Sequence, residues 1–421
     1  MNRAAWAARF FFAVALVPTV VAASFAAYEF HTQVPPTYRQ YAGDPLIGNQ
    51  PSADDFLLGA YAPNPRHFAP DGLESRHAKS AALAKKAPPW ETLAFQSFSA
   101  AAGCKAVVPL VVHPVNWRIT PTSQLRELSL HPKKAKLGLS FPAAYVASAA
   151  GRGAETLIQL MPKGKHAASL SQIGNGEEDA VLQAFATEIK SFKDHVMISF
   201  APEMNGTWYR YGYHMPGSKA AKKYPPTSPA LYVTAYQHVH QVIEGIAGKY
   251  VSWFWQPSAI HKTLSASGAV VQTQSPAPYW PGNGEVDKIG LDGYYYYPRD
   301  SAQVIFGPTI DMLRAQHRGV PIMIGEAGAG LEPKLGFGVQ LQVADIKNLF
   351  AGILKYRLEG LIWFDLNQLH VKVPPGQRRY KQDWKLEDSP RAQQVFQAAV
   401  ANLASTYPIA VFAKLQQRSV C

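Results

Sequence analysis

The stretch Glu178–Phe200, EDAVLQAFATEIKSFKDHVMISF, contains the pattern that decides the fold. Its first part, Glu178–Phe192, repeats Val, Leu, Phe and Ile at intervals of three and four residues, which is the period of a helix with one apolar face. Its last part, Val196–Phe200, is an apolar run of strand length. A helix followed at once by a buried strand is the repeating unit of a protein with a parallel sheet.

The same alternation continues along the chain. Short runs rich in apolar, β-branched or aromatic residues occur at Phe56–Tyr61, Ala106–Val112, Thr156–Leu160, Val196–Phe200, Val251–Trp255, Ile289–Tyr295, Ile322–Ile324 and Leu361–Phe364. Further segments with helical periodicity are Ala230–Ile246, Ala302–His317, Val343–Tyr356 and Pro390–Leu403. Eight strands alternating with helices favour a closed barrel over an open sheet, and no glycine-rich phosphate loop follows any run. The sequence predicts an α/β protein, a single (β/α)8 TIM barrel.

The composition is that of a globular protein. Of 421 residues, 47% are hydrophobic and 17% charged, which excludes disordered, collagen-like and polytopic membrane proteins. The net charge of +12 would suit nucleic-acid binding. However, the basic residues form short clusters beside Pro, Gly or Ala, and none lies on a basic helix. We therefore predict solvated loops with a general attraction to anionic polymers, and no nucleic-acid partner.

The N-terminal segment predicts export. Arg3 and Arg9 precede an uncharged apolar run that ends in small residues, the pattern of a signal peptide or signal anchor over residues 1–27. A linker rich in Pro, Gly and polar residues follows at 28–52, the barrel spans 53–405, and 406–421 forms a C-terminal tail. The expected location is secreted or periplasmic, with membrane anchoring if the leader is retained.

Cysteine and histidine spacing predicts neither a metal site nor a cofactor. Cys104 and Cys421 are too few for a disulfide framework. Cys104 is interpreted as a small core residue near a strand start, with a bridge to Cys421 as the alternative. His238 and His240 lie two residues apart on a predicted helix and face different sides, which is poor metal-ligand geometry. We expect a monomer.

Two carboxylates follow predicted strands. In (β/α)8 barrels the chemistry lies at the carboxyl ends of the strands. Glu203 comes just after the fourth run, and Glu326 comes just after the seventh, between glycines. Glycoside cleavage needs such a pair, because one carboxyl group protonates the leaving oxygen while the other acts at the anomeric centre. Glu203 and Glu326 are the predicted catalytic residues; for either one alone, capping a helix or pairing with an arginine is the alternative.

Aromatic and amide side chains stand at other strand ends. Trp and Tyr rings stack on the apolar faces of sugars, and amides exchange hydrogen bonds with hydroxyl groups. The residues predicted to bind substrate in this way are Trp208, Tyr294, Trp363, Asn205 and Trp255. A phenol at the end of the sixth strand is also placed to donate a hydrogen bond to Glu326 and keep it ionised. Tyr294 is the first choice, and Tyr296, on the same strand face, is the alternative.

Together these segments resemble glycoside hydrolase family 26, the β-mannanase family. The resemblance rests on Phe200–Tyr209 (FAPEMNGTWY), Trp253–Trp255 (WFW), Gly290–Tyr294 (GLDGY), Ile324–Gly328 (IGEAG) and Trp363–Asn367 (WFDLN). It implies a retaining, endo-acting β-glycanase similar to mannan endo-1,4-β-mannosidases. Glu203 would be the acid/base and Glu326 the nucleophile, while Trp208, Tyr294 and Trp363 would line the sugar sites.

One position departs from the family pattern. Mannanases of the family typically carry His immediately before the acid/base, and this chain carries Pro202. The family acts on β-mannan, mixed-linkage β-glucan and β-1,3-xylan, so the resemblance leaves the sugar open. The alternative from another functional class is a non-catalytic glycan-binding or exopolysaccharide-assembly protein on the same barrel.

Overall fold

The barrel expected from the sequence is present. The computed structural model describes residues 56–61, 97–104, 110–130, 136–150, 154–164, 166–214, 219–264, 270–330, 338–366 and 383–406. Eight strands form the barrel: β1 (Leu57–Tyr61), β2 (Leu110–Asn116), β3 (Glu155–Met161), β4 (Val196–Phe200), β5 (Val251–Trp255), β6 (Lys288–Asp292), β7 (Ile322–Ala327) and β8 (Gly360–Phe364). Each strand pairs in parallel with its neighbours in sequence, and β1 pairs with β8 to close the barrel.

The predicted strands differ from the observed ones mainly at their ends. β4 and β5 have the predicted bounds, whereas β2 continues to Asn116 rather than ending at Val112. β6 ends at Asp292, three residues before the predicted end, next to the point where a bulge in β7 shifts the register. β7 in turn runs three residues beyond its predicted end, to Ala327.

Helices surround the barrel. They are α1 (Thr122–Leu130), α2 (Ala143–Ala150), α3 (Leu170–Gly174), α4 (Asp179–Phe192), α5 (Lys219–Lys223), α6 (Pro229–Ala247), α7 (Ala302–Ile305), α8 (Gly307–Gln316), α9 (Val339–Lys355) and α10 (Pro390–Thr406). Ser228 caps α6, since its hydroxyl accepts from the Leu231 amide at 3.2 Å. The single helix predicted over 302–317 is two helices, because Pro308 lacks an amide proton and starts α8.

Side chains on each strand alternate between two apolar layers. The outer layer lies between the barrel and its helices and includes Trp255 and Trp363. The inner layer fills the barrel and includes Phe254, Ile362 and Phe364. Because successive strand residues point to opposite faces, only inner-layer residues lead toward the mouth of the barrel.

Cys104 lies in the outer layer, as the sequence suggested, and it is also disulfide-bonded. The only other cysteine, Cys421, lies outside the described residues, as do the predicted leader, linker and most of the C-terminal tail. Across the described ranges, no helix combines the length and the apolar character of a membrane span.

Candidate active site

Glu203 lies at the barrel mouth, on a turn with left-handed backbone angles. β4 ends at Phe200, and both Ala201 (φ 46°) and Glu203 (φ 56°) then adopt the left-handed conformation. Non-glycine residues avoid this region at a cost of about 1–3 kcal/mol each, and such strain concentrates at functional sites. The Glu203 amide donates to the Gln256 carbonyl at 2.7 Å, which fixes the turn against the end of β5.

The Glu203 carboxyl group is held by donors on both oxygens. Trp208 Nε1 donates to Oε2 at 2.7 Å, and Ser258 Oγ donates to Oε1 at 3.1 Å. The Tyr209 side chain adds a third hydrogen bond. Burial raises the pKa of Glu203, while these donors and the charge of Lys163 oppose the rise. The donors therefore fix the orientation of the carboxyl group, while burial keeps its pKa above the ordinary value.

Asn205 holds the loop of Glu203 in position through hydrogen bonds to backbone groups. Its side chain is fully buried, and Nδ2 donates to the carbonyls of Ser258 (2.8 Å) and Gln274 (2.7 Å). Oδ1 accepts from the Ser258 amide at 2.9 Å. Because backbone groups occupy the amide at both ends, the prediction that Asn205 contacts sugar does not fit. Instead it fastens the loop carrying Glu203 to the segment carrying Ser258.

A bulge in β7 sets the direction of Glu326. Leu291 pairs with Ile324 and Asp292 pairs with Glu326, so β7 has one residue more than β6 over this step. Such an extra residue re-aims the side chains beside it. The bulge needs glycine: a Cβ on Gly325 would lie 2.6 Å from Asp292 Oδ1. Glu326 is thereby turned toward β6 and is 9% exposed.

The Tyr294 hydroxyl donates a hydrogen bond to Glu326 Oε1, as predicted. Tyr294 is therefore the phenol that meets the carboxylate, and Tyr296 packs beside it with ring centroids 5.7 Å apart. Burial raises the pKa of Glu326 well above its ordinary value, and the charge of Glu203 raises it further, while Lys163 opposes the rise. The two glutamates thus face one barrel mouth and affect each other's ionisation.

Sequence reasoning did not assign Asp292 a role at the site. This last residue of β6 is 2% exposed, and Gln256 Nε2 donates to both of its oxygens at 3.1 and 3.0 Å. Gln159 Nε2 in turn donates to Gln256 Oε1 at 3.1 Å. Burial and the charges of Glu326 and Glu203 raise the pKa of Asp292 well above its ordinary value. The sequence did contain a signal for Asp292, because it directly follows an apolar run, as the two glutamates do.

An aromatic wall stands beside Glu326. Trp384 packs against Tyr294 (centroids 5.2 Å apart) and edge-on against Phe364 (5.3 Å). Phe364 stacks on Tyr61 at 4.9 Å. Within the part of the chain that the structure describes, the buried Trp384 Nε1 has no hydrogen-bond partner. Trp384 belongs to no periodic segment, so the sequence carried no signal for it.

Two predicted sugar-binding tryptophans lie elsewhere. Trp255 and Trp363 are both fully buried in the outer layer, where Trp363 packs edge-on against Phe396 of α10. The prediction placed them by their position at strand ends and overlooked the alternation of faces. Trp363 instead supports the wall from behind, since its Nε1 donates to the Trp384 carbonyl at 3.0 Å. Trp208, by contrast, is partly exposed at the mouth.

Lys163 places a positive charge at this mouth. Lys163 follows β3 by two residues and is partly exposed, and its Nζ lies 5.9 Å from the centroid of the Tyr209 ring. It interacts electrostatically with both Glu203 and Glu326. Sequence analysis did not select it, because it belongs to no motif.

The histidines of α6 face separate carboxylates. His238 Nε2 lies 2.5 Å from Asp179, and His240 Nδ1 lies 2.8 Å from Glu285. Among the described residues, no group of three or more His, Cys, Asp or Glu side chains could hold a metal ion.

The sequence matches no protein-family model and no curated protein, but solved structures do match. The Bacillus subtilis mannanase BCman aligns at a TM-score of 0.50 and 13% identity, covering 93% of this chain and 97% of that one. A modular endo-β-1,4-mannanase of Cellulomonas fimi, from glycoside hydrolase family 26, aligns at 0.50 and 16% identity, covering 87% and 74%. The fold is that of solved family 26 mannanases. At these identities the likeness concerns the fold, and it confirms the (β/α)8 barrel expected from the resemblance.

Proposed function

We propose that this protein is a retaining endo-β-glycosidase that hydrolyses a β-linked polysaccharide, either a β-mannan or another β-glycan. The observation that carries the proposal is the pairing of Glu203 and Glu326 at one barrel mouth, where the charge of Glu203 raises the pKa of Glu326 and dedicated donors hold the Glu203 carboxyl group. Two carboxyl groups that share a site cannot both ionise easily, so the pair keeps its last proton to a higher pH than a free glutamate does.

The pair suits double displacement. Glu203 carries the proton and gives it to the glycosidic oxygen, while the Glu326 carboxylate attacks the anomeric carbon and the leaving sugar departs. A water molecule then loses a proton to Glu203 and attacks the same carbon, which releases Glu326 and completes hydrolysis with retained configuration. Trp208 and Ser258 keep the acid oriented, and the Tyr294 hydroxyl stabilises the ionised nucleophile.

The sugar is proposed only as a class. In the aromatic wall, the partly exposed ring of Tyr294 offers a face for a pyranose ring next to Glu326, and the buried rings of Trp384 and Phe364 pack behind it. The solved neighbours named above are mannanases, which makes β-mannan a first candidate. Pro202 stands where family mannanases typically carry His, so β-glucan and β-1,3-xylan remain in the candidate set.

Product release tests the proposal. The protein is incubated with β-mannan, mixed-linkage β-glucan, β-1,3-xylan and an acidic bacterial exopolysaccharide, and new reducing ends are measured. We expect cleavage of one polymer, with a rate loss of about 10²–10⁴-fold or more in Glu203→Gln and Glu326→Gln. Glu127→Gln, on the outer helix α1, is the matched control and should keep full activity.

Two outcomes separate the alternatives. Proton NMR of the first-formed anomer distinguishes retention from inversion, and inversion would exclude Glu326 as nucleophile. If the wild type and both variants bind a polymer equally but release nothing from any of them, the protein is a glycan-binding or assembly protein, and the hydrolase proposal is wrong.

We also propose that the protein is exported. The leader pattern over residues 1–27 supports this, and so does the disulfide bond of Cys104, since disulfides persist mainly in oxidising compartments. A fusion of residues 1–52 to alkaline phosphatase lacking its own signal should become active outside the cytoplasm. Replacing Arg3 and Arg9 by Glu should reduce that export, and an inactive fusion would contradict the proposal.

A further inference from the structure

We propose that Lys163 makes this site selective for an acidic β-glycan, by binding the C6 carboxylate of a uronic acid residue next to the cleaved bond. The inference rests on the proposed glycosidase function and names the substrate class for it. A carboxylate at C6 differs from the neutral sugar only in replacing a hydroxymethyl group, so it would enter the same barrel mouth.

The turn that carries Lys163 is held in place. The Lys163 amide donates to the Met161 carbonyl at 2.8 Å, and Gly164 next to it has φ +93°, a value that glycine adopts without strain. Arg210 Nη1 donates to the Gly164 carbonyl at 3.1 Å, which ties this turn to the loop after β4 that carries Glu203. The backbone of Lys163 is therefore held beside the loop that carries Glu203.

Lys163 stands on the acid/base side of the site. Its ammonium lies over the ring of Tyr209, whose side chain hydrogen-bonds Glu203. Glu203 already receives hydrogen bonds from Trp208 and Ser258, so its orientation does not depend on the lysine. The Lys163 side chain is partly exposed, and its charge acts on both Glu203 and Glu326, the two residues between which the cleaved bond must lie.

The charge of Lys163 offsets the repulsion between the carboxyl groups of the site and an anionic sugar. Glu203, Glu326 and Asp292 form a carboxyl-rich mouth, and an anionic sugar approaching it meets repulsion from any ionised member. A neutral β-glycan needs no compensating charge, whereas a uronate does. Lys163 supplies that charge within the same site, and the net charge of +12 on the whole chain favours the approach of an acidic polymer.

The test compares oligosaccharides that differ only at C6. The pairs are β-1,4-linked mannuronate hexasaccharide with mannohexaose, and β-1,4-linked glucuronate hexasaccharide with cellohexaose. Dissociation constants are measured by calorimetry on the full chain carrying Glu203→Gln, which prevents turnover and keeps the side-chain size. We expect the acidic member of at least one pair to bind about tenfold more tightly, as for a hydrogen bond to a charged group.

Three variants in that background isolate the lysine. Lys163→Met should abolish the acidic preference, and Lys163→Arg should keep most of it. Lys249→Met is the matched control, because Lys249 also lies over a tyrosine ring, at 4.9 Å from Tyr250, but precedes β5 at the opposite end of the barrel. Raising the salt to 0.5 M should weaken the preference in the parent and leave Lys163→Met unchanged.

The outcomes separate this inference from the proposed function. Equal or tighter binding of the neutral member in both pairs overturns the role of Lys163, even if the protein cleaves a neutral glycan. An acidic preference that survives Lys163→Met also overturns it. The last outcome is an acidic preference that depends on Lys163 in a protein whose wild-type chain cleaves none of the four oligosaccharides. It supports the inference and refutes hydrolysis.

Discussion

The hydroxyl group of Tyr294 donates a hydrogen bond to Oε1 of Glu326 across the boundary between β6 and β7. This contact stabilises the ionised form of a carboxyl group whose surroundings oppose ionisation. Burial and the charge of Glu203 raise the pKa of Glu326 well above its ordinary value. Burial also raises the pKa of Glu203, but three hydrogen bonds to its carboxyl group oppose that rise. The phenol donates to the ionised form of Glu326, the form that must attack, and so opposes the rise in its pKa. Tyr294 therefore helps to place the proton on the productive partner.

Tyr294→Phe should reduce kcat by about 10–100-fold, the range expected for losing a hydrogen bond to a charged group. The aromatic packing against Trp384 would remain, so KM should change less than kcat. The pKa of Glu326 should rise, which moves the acidic limb of the kcat profile to higher pH. Rate measurements from pH 4 to 9 check this, with Tyr296→Phe as the control; an unchanged acidic limb would contradict the role.

The wild-type pH profile should be bell-shaped and displaced upward. Activity requires that one proton remain on the carboxyl pair, so the rate rises as the first proton leaves and falls as the second leaves. Burial raises the pKa of both Glu203 and Glu326, so both limbs should lie above the value of about 4.3 for a free glutamate. A kcat/KM profile whose acidic limb lies at or below that value would show that the pair is more hydrated than its geometry implies.

Sequence periodicity predicted which residues reach the barrel mouth better than it predicted which way they point. Glu203 and Glu326 were found because each comes just after an apolar run of strand length, and that position needs no knowledge of packing. Trp363 also stands at a strand end, yet it faces outward, because face alternation depends on a register that only pairing reveals. Trp384 was not predicted, because a loop residue reaches the site through backbone contacts that leave no sequence period.

Gly325→Ala should lower the free energy of unfolding by about 1–3 kcal/mol and impair catalysis. The new methyl group would lie 2.6 Å from Asp292 Oδ1 and 3.0 Å from Gly290 Cα, so the bulge that directs Glu326 must shift. Gly245→Ala is the matched control: it lies in α6 with nothing within 4 Å of the new Cβ, and should stabilise the protein by about 0.5–1 kcal/mol. Denaturant unfolding and initial rates check both; full activity in Gly325→Ala would show that the bulge tolerates a side chain.

Trp384→Phe and Trp363→Phe should have different effects. Trp384 packs directly on Tyr294, the partly exposed ring beside Glu326, so its replacement should loosen that ring and raise KM about fivefold, the equivalent of one aromatic contact of about 1 kcal/mol. Trp363 is fully buried against Phe396 and faces away from the mouth, so its replacement should lower the free energy of unfolding and leave KM unchanged. Melting curves and Michaelis–Menten kinetics on both variants decide the matter. A larger KM effect for Trp363→Phe would restore the original sequence prediction and reverse the assignment made from the structure.

Glu326→Gln should abolish activity and stabilise the fold. In the folded state the pKa of Glu326 lies well above its unfolded value of about 4.3, so between these two values the native protein binds more protons than the unfolded chain. The stability that Glu326 contributes is complete below the unfolded pKa and is lost as pH rises through the folded pKa. Glutamine carries no charge and escapes this loss, while its carbonyl can still accept from Tyr294. The gain should be on the order of 1 kcal/mol at pH 8 and smaller at pH 5, measured by denaturant unfolding at both values. Glu127→Gln on α1 should show no such pH-dependent gain, and equal gains for Glu326→Gln at the two pH values would mean that relief of a buried charge is not the cause.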